Sequence, residues 1–138
     1  MRRAAPAVAG LLLLAGCSHH HRHPQVGRPA NEPGSPCQVV GVAYVDSLRP
    51  RGLTFEDIVL DRAPHRSIVA VGAGLEFAVG SIRVPSLGPY GPAVDYLASR
   101  AAGKPVGRPS AEVLASARRL DTDLAKGLCA GFRTGSGS

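Results

Sequence analysis

SIVAVGAGLEFAVGSIRV, residues 67–84, is the stretch that decides the fold class of this chain. It contains two apolar runs, residues 67–73 and 75–84, with the glycine-rich tripeptide 72–74 between them. β-Branched residues are frequent in both runs, and glycines in this position are typical of a hairpin connection. The stretch therefore predicts two antiparallel strands.

The second run also predicts a β-bulge. Leu75, Phe77 and Val79 follow a period of two and share one face of a strand, whereas Ile82 continues with the opposite parity. One extra residue at 80–81 would restore a single buried face.

Two segments upstream extend the pattern. Residues 37–45, CQVVGVAYV, are rich in β-branched side chains and predict another strand. Residues 53–61 are ambiguous, because Thr54 followed by Asp57 matches a helix-capping box, while residues 58–60 would suit a strand equally well. The capping pattern favours a short helical turn.

Two helices are predicted after the sheet. Residues 92–101 begin with a proline suited to an early helical position and continue with apolar residues at helical spacing. Residues 111–126 have Ser110 as a candidate N-cap, and the chain is expected to turn at Gly127. Residues 37–133 are thus predicted to form an α+β domain, a small antiparallel sheet followed by two C-terminal helices.

The amino terminus has the features of an export signal. Two arginines precede an apolar run over residues 4–16 that is too short to span a bilayer permanently. Leu14-Ala15-Gly16-Cys17 resembles the lipobox of bacterial lipoproteins. This resemblance implies removal of residues 1–16 as a signal peptide and attachment of lipid to Cys17. Ordinary signal cleavage and an uncleaved segment are the alternatives.

The same resemblance implies an extracytoplasmic protein anchored to the cell membrane. Ser18 follows the cysteine in place of the aspartate associated with inner-membrane retention, so the outer membrane is expected in a cell with two membranes. With Cys17 committed to lipid, Cys37 and Cys129 remain as an even pair in an oxidising compartment, which predicts a disulfide. Two free thiols or a metal-binding pair are the alternatives.

Residues 17–36 are predicted to be a disordered tether rich in histidine and proline, and residues 134–138 a flexible tail. The tether contains His19, His20, His21 and His23. Neutral imidazoles bind zinc, copper and nickel, so this tract is a candidate metal site and the only cofactor site that we predict. A solvated linker is the alternative, because a coil presets no coordination geometry.

The carboxy-terminal region is the basic part of the chain. Residues 100–133 carry seven lysines or arginines against three carboxylates. Outside the cytoplasm the available polyanions are lipid headgroups and surface polymers rather than nucleic acid. We therefore predict polyanion contact through Arg100, Lys104, Arg108, Arg118 and Arg119, with simple solvation of the helices as the alternative.

Catalytic motifs are weak. The glycines at 72–74 match a hairpin better than a phosphate-binding loop, because Phe77 occupies the position of the third glycine. His65 has no nucleophile motif around it, and Asp121 and Asp123 do not face one another on a helix. The expected function is a non-catalytic binding or accessory module, with an envelope protein or surface polymer as partner. A metal-capturing lipoprotein and an extracytoplasmic hydrolase are the alternatives.

Overall fold

A computed structural model describes residues 29–134 of the chain, and this range is helical with no strand. Five α-helices follow one another: α1 (Cys37–Val42), α2 (Phe55–Val59), α3 (His65–Ser81), α4 (Gly91–Ala101) and α5 (Ala111–Ala125). A π-helical turn over Ala43–Leu48 and a 3-10 turn over Arg49–Arg51 extend α1, and a second 3-10 turn, Gly88–Tyr90, precedes α4. The predicted α+β class with its antiparallel sheet is therefore wrong.

The stretch for which the sequence predicts a hairpin, residues 67–84, lies almost wholly within α3. Its buried residues include Ser67, Val71, Leu75 and Ala78, whose spacing of four, four and three places them on one face of a helix. Phe77, which a strand would bury beside Leu75, is 71% exposed, while Leu75 is fully buried. The two predicted strands, the hairpin and the bulge at 80–81 are all wrong, because the buried residues recur at the spacing of a helix.

Gly72 explains how α3 packs against α4. It is buried, and a Cβ atom placed on it would lie 3.1 Å from Cβ of Ala101 on α4, closer than side chains normally approach. A Cβ on Gly74 would meet nothing within 4 Å. Gly72 therefore serves close contact between two helices rather than a reversal of the chain.

The strand predicted over residues 37–45 is wrong for a related reason. This segment is helical, and it buries Cys37, Val39, Val40 and Ala43 in the core. Leu48, five residues after Ala43, is also buried, as the wider π-helical turn allows. Valines lower helix propensity only slightly, and burial of a whole face outweighs that cost.

The short helical turn predicted near residues 53–61 is confirmed as α2. The Thr54 hydroxyl accepts a hydrogen bond from the backbone N–H of Asp57 at 3.0 Å, and the Asp57 carboxylate accepts one from the N–H of Thr54 at 3.0 Å. Asp121 on α5 then accepts from the N–H groups of Phe55 and Glu56 at 2.7 and 3.0 Å. The first turn of α2 is thus satisfied from its own cap and from a distant helix.

The two C-terminal helices are confirmed. Ser110 caps α5 by accepting from the N–H of Val113 at 3.1 Å, as its position predicts. Ser116 on α5 is buried, and its hydroxyl donates to the carbonyl of Pro89 at 2.7 Å and accepts from the N–H of Ala93 at 3.0 Å. Within residues 29–134 no helix has the length and apolarity that a membrane crossing requires.

The disulfide between Cys37 and Cys129 is confirmed, with the two Cα atoms 5.6 Å apart. It joins α1 to the segment after α5, where the chain reverses at Gly127 with φ of 104°. The Asn31 side chain donates to the carbonyl of Gly131 at 3.3 Å and accepts from the N–H of Arg133 at 3.3 Å. Asn31, which lies in the segment predicted as a tether, therefore contacts the end of the domain.

Replacing Gly72 by leucine should lower the free energy of unfolding by about 1–3 kcal/mol, because the new side chain must displace α4. Gly74→Leu is the matched control on the same helix and should raise it by about 0.5–1 kcal/mol through better helix propensity. Urea unfolding followed by circular dichroism measures both. Equal effects of the two variants would show that α3 and α4 do not meet at Gly72.

Candidate functional site

A cleft of about 680 Å³ lies between α3 and α4, beside their contact at Gly72. Its size falls in the range of small-molecule sites, roughly 300–1,000 Å³. The walls are mostly apolar, and their members on the two helices are Ile68, Val69, Gly72, Ala73, Leu97 and Ala101. A few polar groups complete the lining at one end.

These polar groups are Asp61, His65 and Arg100. The Arg100 guanidinium donates to the Asp61 carboxylate at 3.0 Å and to the carbonyl of Ile58 at 2.9 Å. It also lies over the ring of Tyr96, 5.6 Å from the ring centroid. Arg100 is thereby held in one orientation at the edge of the cleft.

Asp61 occupies a backbone position that usually belongs to glycine. Its φ is 56°, in the left-handed region, and it comes after Leu60, the C-cap of α2. Aspartate tolerates this conformation better than most residues, although at some cost in strain. Asp61 therefore helps to end α2, and its carboxylate pairs with Arg100.

His65 begins α3 and reaches the cleft, as the hydrolase alternative would require. Its side chain has no hydrogen bond or ion pair with any described residue. The cleft lining includes no serine, threonine, cysteine, lysine or tyrosine. The one carboxylate, Asp61, is engaged by Arg100. This arrangement can bind a ligand but brings no nucleophile to the histidine.

The residues predicted to contact polyanions do not form one uncompensated basic surface. Three of them are ion-paired within the domain: Arg100 with Asp61 at 3.0 Å, Arg118 with Glu56 at 2.7 Å and Arg119 with Asp123 at 2.9 Å. Lys104 and Arg108 lie in the loop before α5, and their side chains have no partner among residues 29–134. Polyanion contact by this set stays a prediction.

Asp121 and Asp123 serve different parts of the structure. Burial raises the pKa of Asp121, while the hydrogen bonds from Glu56 and Phe55 oppose that shift. Burial also acts to raise the pKa of Asp123, but hydrogen bonds from Tyr90 and Arg119 outweigh it and lower the pKa. The two carboxylates therefore act as separate structural acceptors.

Tyr90 is the second partner of Asp123. Its hydroxyl donates to the Asp123 carboxylate at 2.7 Å, and its side chain is buried between α4 and α5. Burial and this hydrogen bond raise the pKa of Tyr90 to about 12. Sequence spacing gives no sign of this contact, because the two residues lie on different elements.

The predicted lipidation site, Cys17, and the predicted metal ligands His19, His20, His21 and His23 lie outside the described residues. Within residues 29–134 no group of three or more His, Cys, Asp or Glu side chains is placed to hold a metal ion.

The cleft is not apparent from the sequence, because its polar members come from three elements. Asp61 follows α2, His65 begins α3 and Arg100 ends α4. The available signal was the helical spacing of Val71, Leu75 and Ala78, which would have placed His65 at the start of a helix.

No protein-family model, no curated protein and no solved structure matches the chain.

The free energy of unfolding should fall as the pH rises from 10 to about 12, because the unfolded chain ionises Tyr90 first while the fold still holds the neutral phenol. The contribution of Tyr90 is fully present below pH 10, and its loss amounts to as much as about 2 kcal/mol. Chemical unfolding at several pH values measures it. A Tyr90→Phe variant should show a shallower fall, and parallel curves for the two proteins would contradict the assignment.

Proposed function

We propose that this protein is a membrane-anchored extracytoplasmic lipoprotein whose helical domain acts as a non-catalytic binding module of the cell envelope. The lipobox-like residues Leu14-Ala15-Gly16-Cys17 support the anchor. The disulfide between Cys37 and Cys129 agrees with an oxidising compartment, where such bonds persist. The cleft between α3 and α4 is the single observation that carries the binding role.

The chemistry of the cleft favours an amphipathic ligand with an anionic head. The apolar walls would hold the body of such a molecule, as in most small-molecule sites. At the polar end Arg100 pairs with Asp61, and Arg62 and Arg66, which are next in sequence to the cleft residues Asp61 and His65, have no ion pair with described residues. Positive charge is therefore in excess near this end. An anionic group of a ligand next to Arg100 would neutralise this excess positive charge.

Binding is preferred to hydrolysis because His65 has neither a nucleophile nor an orienting carboxylate within hydrogen-bond distance. A membrane anchor suits a binding module, since it fixes location and raises local concentration.

The anchor predicts that the chain incorporates fatty acid at Cys17. Cells expressing the full chain and fed an alkyne-labelled fatty acid should yield a labelled protein, and the Cys17→Ala variant should lose the label. Globomycin, which blocks lipoprotein signal cleavage, should leave residues 1–16 attached. An unlabelled wild-type protein, or signal cleavage unaffected by globomycin, would contradict lipid attachment at Cys17.

The cleft predicts that the native protein binds 8-anilinonaphthalene-1-sulfonate, an apolar dye with an anionic head, in preference to the neutral dye N-phenyl-1-naphthylamine. Arg100→Met should lower the affinity for the anionic dye about tenfold, the usual loss for a hydrogen bond to a charged group. The affinity for the neutral dye should be unchanged. Fluorescence titration measures both. Lys104→Met is the control, because Lys104 lies outside the cleft lining. Equal losses in the two variants would contradict the site.

A further inference from the structure

The outer face of α3 carries large apolar side chains that are exposed. Four large apolar side chains are strongly exposed in the described range: Val42 at 48%, Val69 at 51%, Phe77 at 71% and Val79 at 43%. Val69 and Phe77 lie on the outer face of α3, whereas Val79 lies about 160° around the helix from Phe77 and Val42 belongs to α1. A phenylalanine this exposed, with an exposed valine on the same helix face, is a candidate contact surface.

The exposed residues of α3 form a continuous stripe. At 100° per residue, Val69, Ala73 and Phe77 lie along one line of the helix, opposite the buried Val71 and Leu75. The neighbouring positions on this outer face are small or basic and are also exposed: Arg66, Ala70 and Gly80. Glu76, at the margin of the stripe, is its one carboxylate.

Unpaired positive charge flanks this stripe. Arg62 and Arg66 lie at its amino-terminal end and Arg83 just beyond its carboxy-terminal end. None of these three side chains has a hydrogen bond or an ion pair with residues 29–134. The arginines of α5, in contrast, are neutralised by Glu56 and Asp123.

We propose that α3 lies on an anionic phospholipid surface, with its outer face against the membrane. Phe77 and Val69 would enter the boundary between headgroups and acyl chains, and the flanking arginines would contact lipid phosphates. An apolar helix face bordered by cations is the pattern of helices that lie in the plane of a membrane. Each arginine near such a surface strengthens binding about fivefold.

The anchor of the proposed function makes this contact effective, and to that extent the inference rests on it. From Cys17 to Pro29 the chain spans at most about 40 Å, so an acylated protein would hold α3 close to the bilayer. At the resulting local concentration a weak surface contact is enough to orient the domain.

A second copy of the chain fits the same face less well. Pairing two α3 helices would bring the unpaired arginines of both copies together, and only one carboxylate, Glu76, lies at the stripe to offset them. The stripe is also one helix wide, whereas a stable interface buries roughly 800 Å² of each partner. An anionic bilayer supplies both the missing negative charge and an extended apolar boundary.

Tryptophan fluorescence tests the contact directly, because the chain contains no tryptophan. The predicted mature chain, from residue 17 with Cys17→Ser, would carry Phe77→Trp and be mixed with vesicles of phosphatidylglycerol and phosphatidylcholine. Its emission should shift to shorter wavelength and be quenched by brominated lipid, and vesicles of phosphatidylcholine alone should have little effect. Ala115→Trp on the exposed face of α5 is the control and should not respond.

Flotation of the same chain with vesicles measures affinity. Phe77→Ser should weaken binding about tenfold and Arg66→Gln about fivefold, whereas Phe77→Leu should retain it. Arg118→Gln on α5 is the matched control and should bind as the parent does. Far-UV circular dichroism checks that each variant keeps its helices, which is expected because these side chains are exposed.

An unresponsive Phe77→Trp emission, equal binding to neutral vesicles, or a greater loss with Arg118→Gln than with Arg66→Gln would overturn the proposal. Self-association in sedimentation that disappears in Phe77→Ser, without vesicle binding, would assign the face to a second copy. Because the chain tested has no acyl group, this result is independent of the fatty-acid labelling of Cys17.

Discussion

The close approach of α3 and α4 at Gly72 is the contact on which the rest of the structure depends. Because Gly72 has no side chain, Ala101 can lie against the α3 backbone, and Leu97 on the same face of α4 is buried in the core. α3 also packs against α1, and α4 packs against α5, so this contact joins the two halves of the domain. The disulfide between Cys37 and Cys129 then fixes α1 to the segment that follows α5.

Ion pairs such as Arg100–Asp61 and Arg118–Glu56 join residues that are far apart in the sequence but close in the fold. The carboxylates that neutralise α4 and α5 include Asp61 and Glu56, which lie about forty and sixty positions away along the chain. Asp121 and Asp123, two residues apart, are separated in function by the same packing, since one caps α2 and the other holds Tyr90. As a result, three of the seven basic residues at 100–133 are ion-paired within the domain. Arg62, Arg66 and Arg83, near the two ends of α3, have no ion pair with described residues.

The cleft and the exposed stripe that is proposed to contact the membrane share residues of α3. One edge of the helix lines the cleft with Val69 and Ala73, and the outer stripe, which shares these two residues, continues to Phe77. If this stripe rests on a bilayer, the cleft lies close to the membrane surface. A ligand with an apolar body and an anionic head would then be met in the environment where such molecules concentrate.

Local signals in the sequence determined the parts of the fold that depend on local hydrogen bonds. The Thr54 and Asp57 capping box, the Ser110 cap and the turn at Gly127 each involve groups close together in the sequence, and the last two mark the ends of α5. The pairing of Cys37 with Cys129 followed from the cysteine count once the resemblance to a lipobox assigned Cys17 to lipid. The capping features could be predicted because their physics is contained within a few residues.

Only the tertiary structure decided the conformation of α1 and α3 and the composition of the cleft. Both segments are apolar on several sides, so strand and helix periods fit their sequences almost equally well. Burial of Val71, Leu75 and Ala78 against neighbouring helices makes the helix the better solution, and it leaves Phe77 outside. Asp61, His65 and Arg100 meet for the same reason: packing of whole helices brings together residues that no local pattern connects.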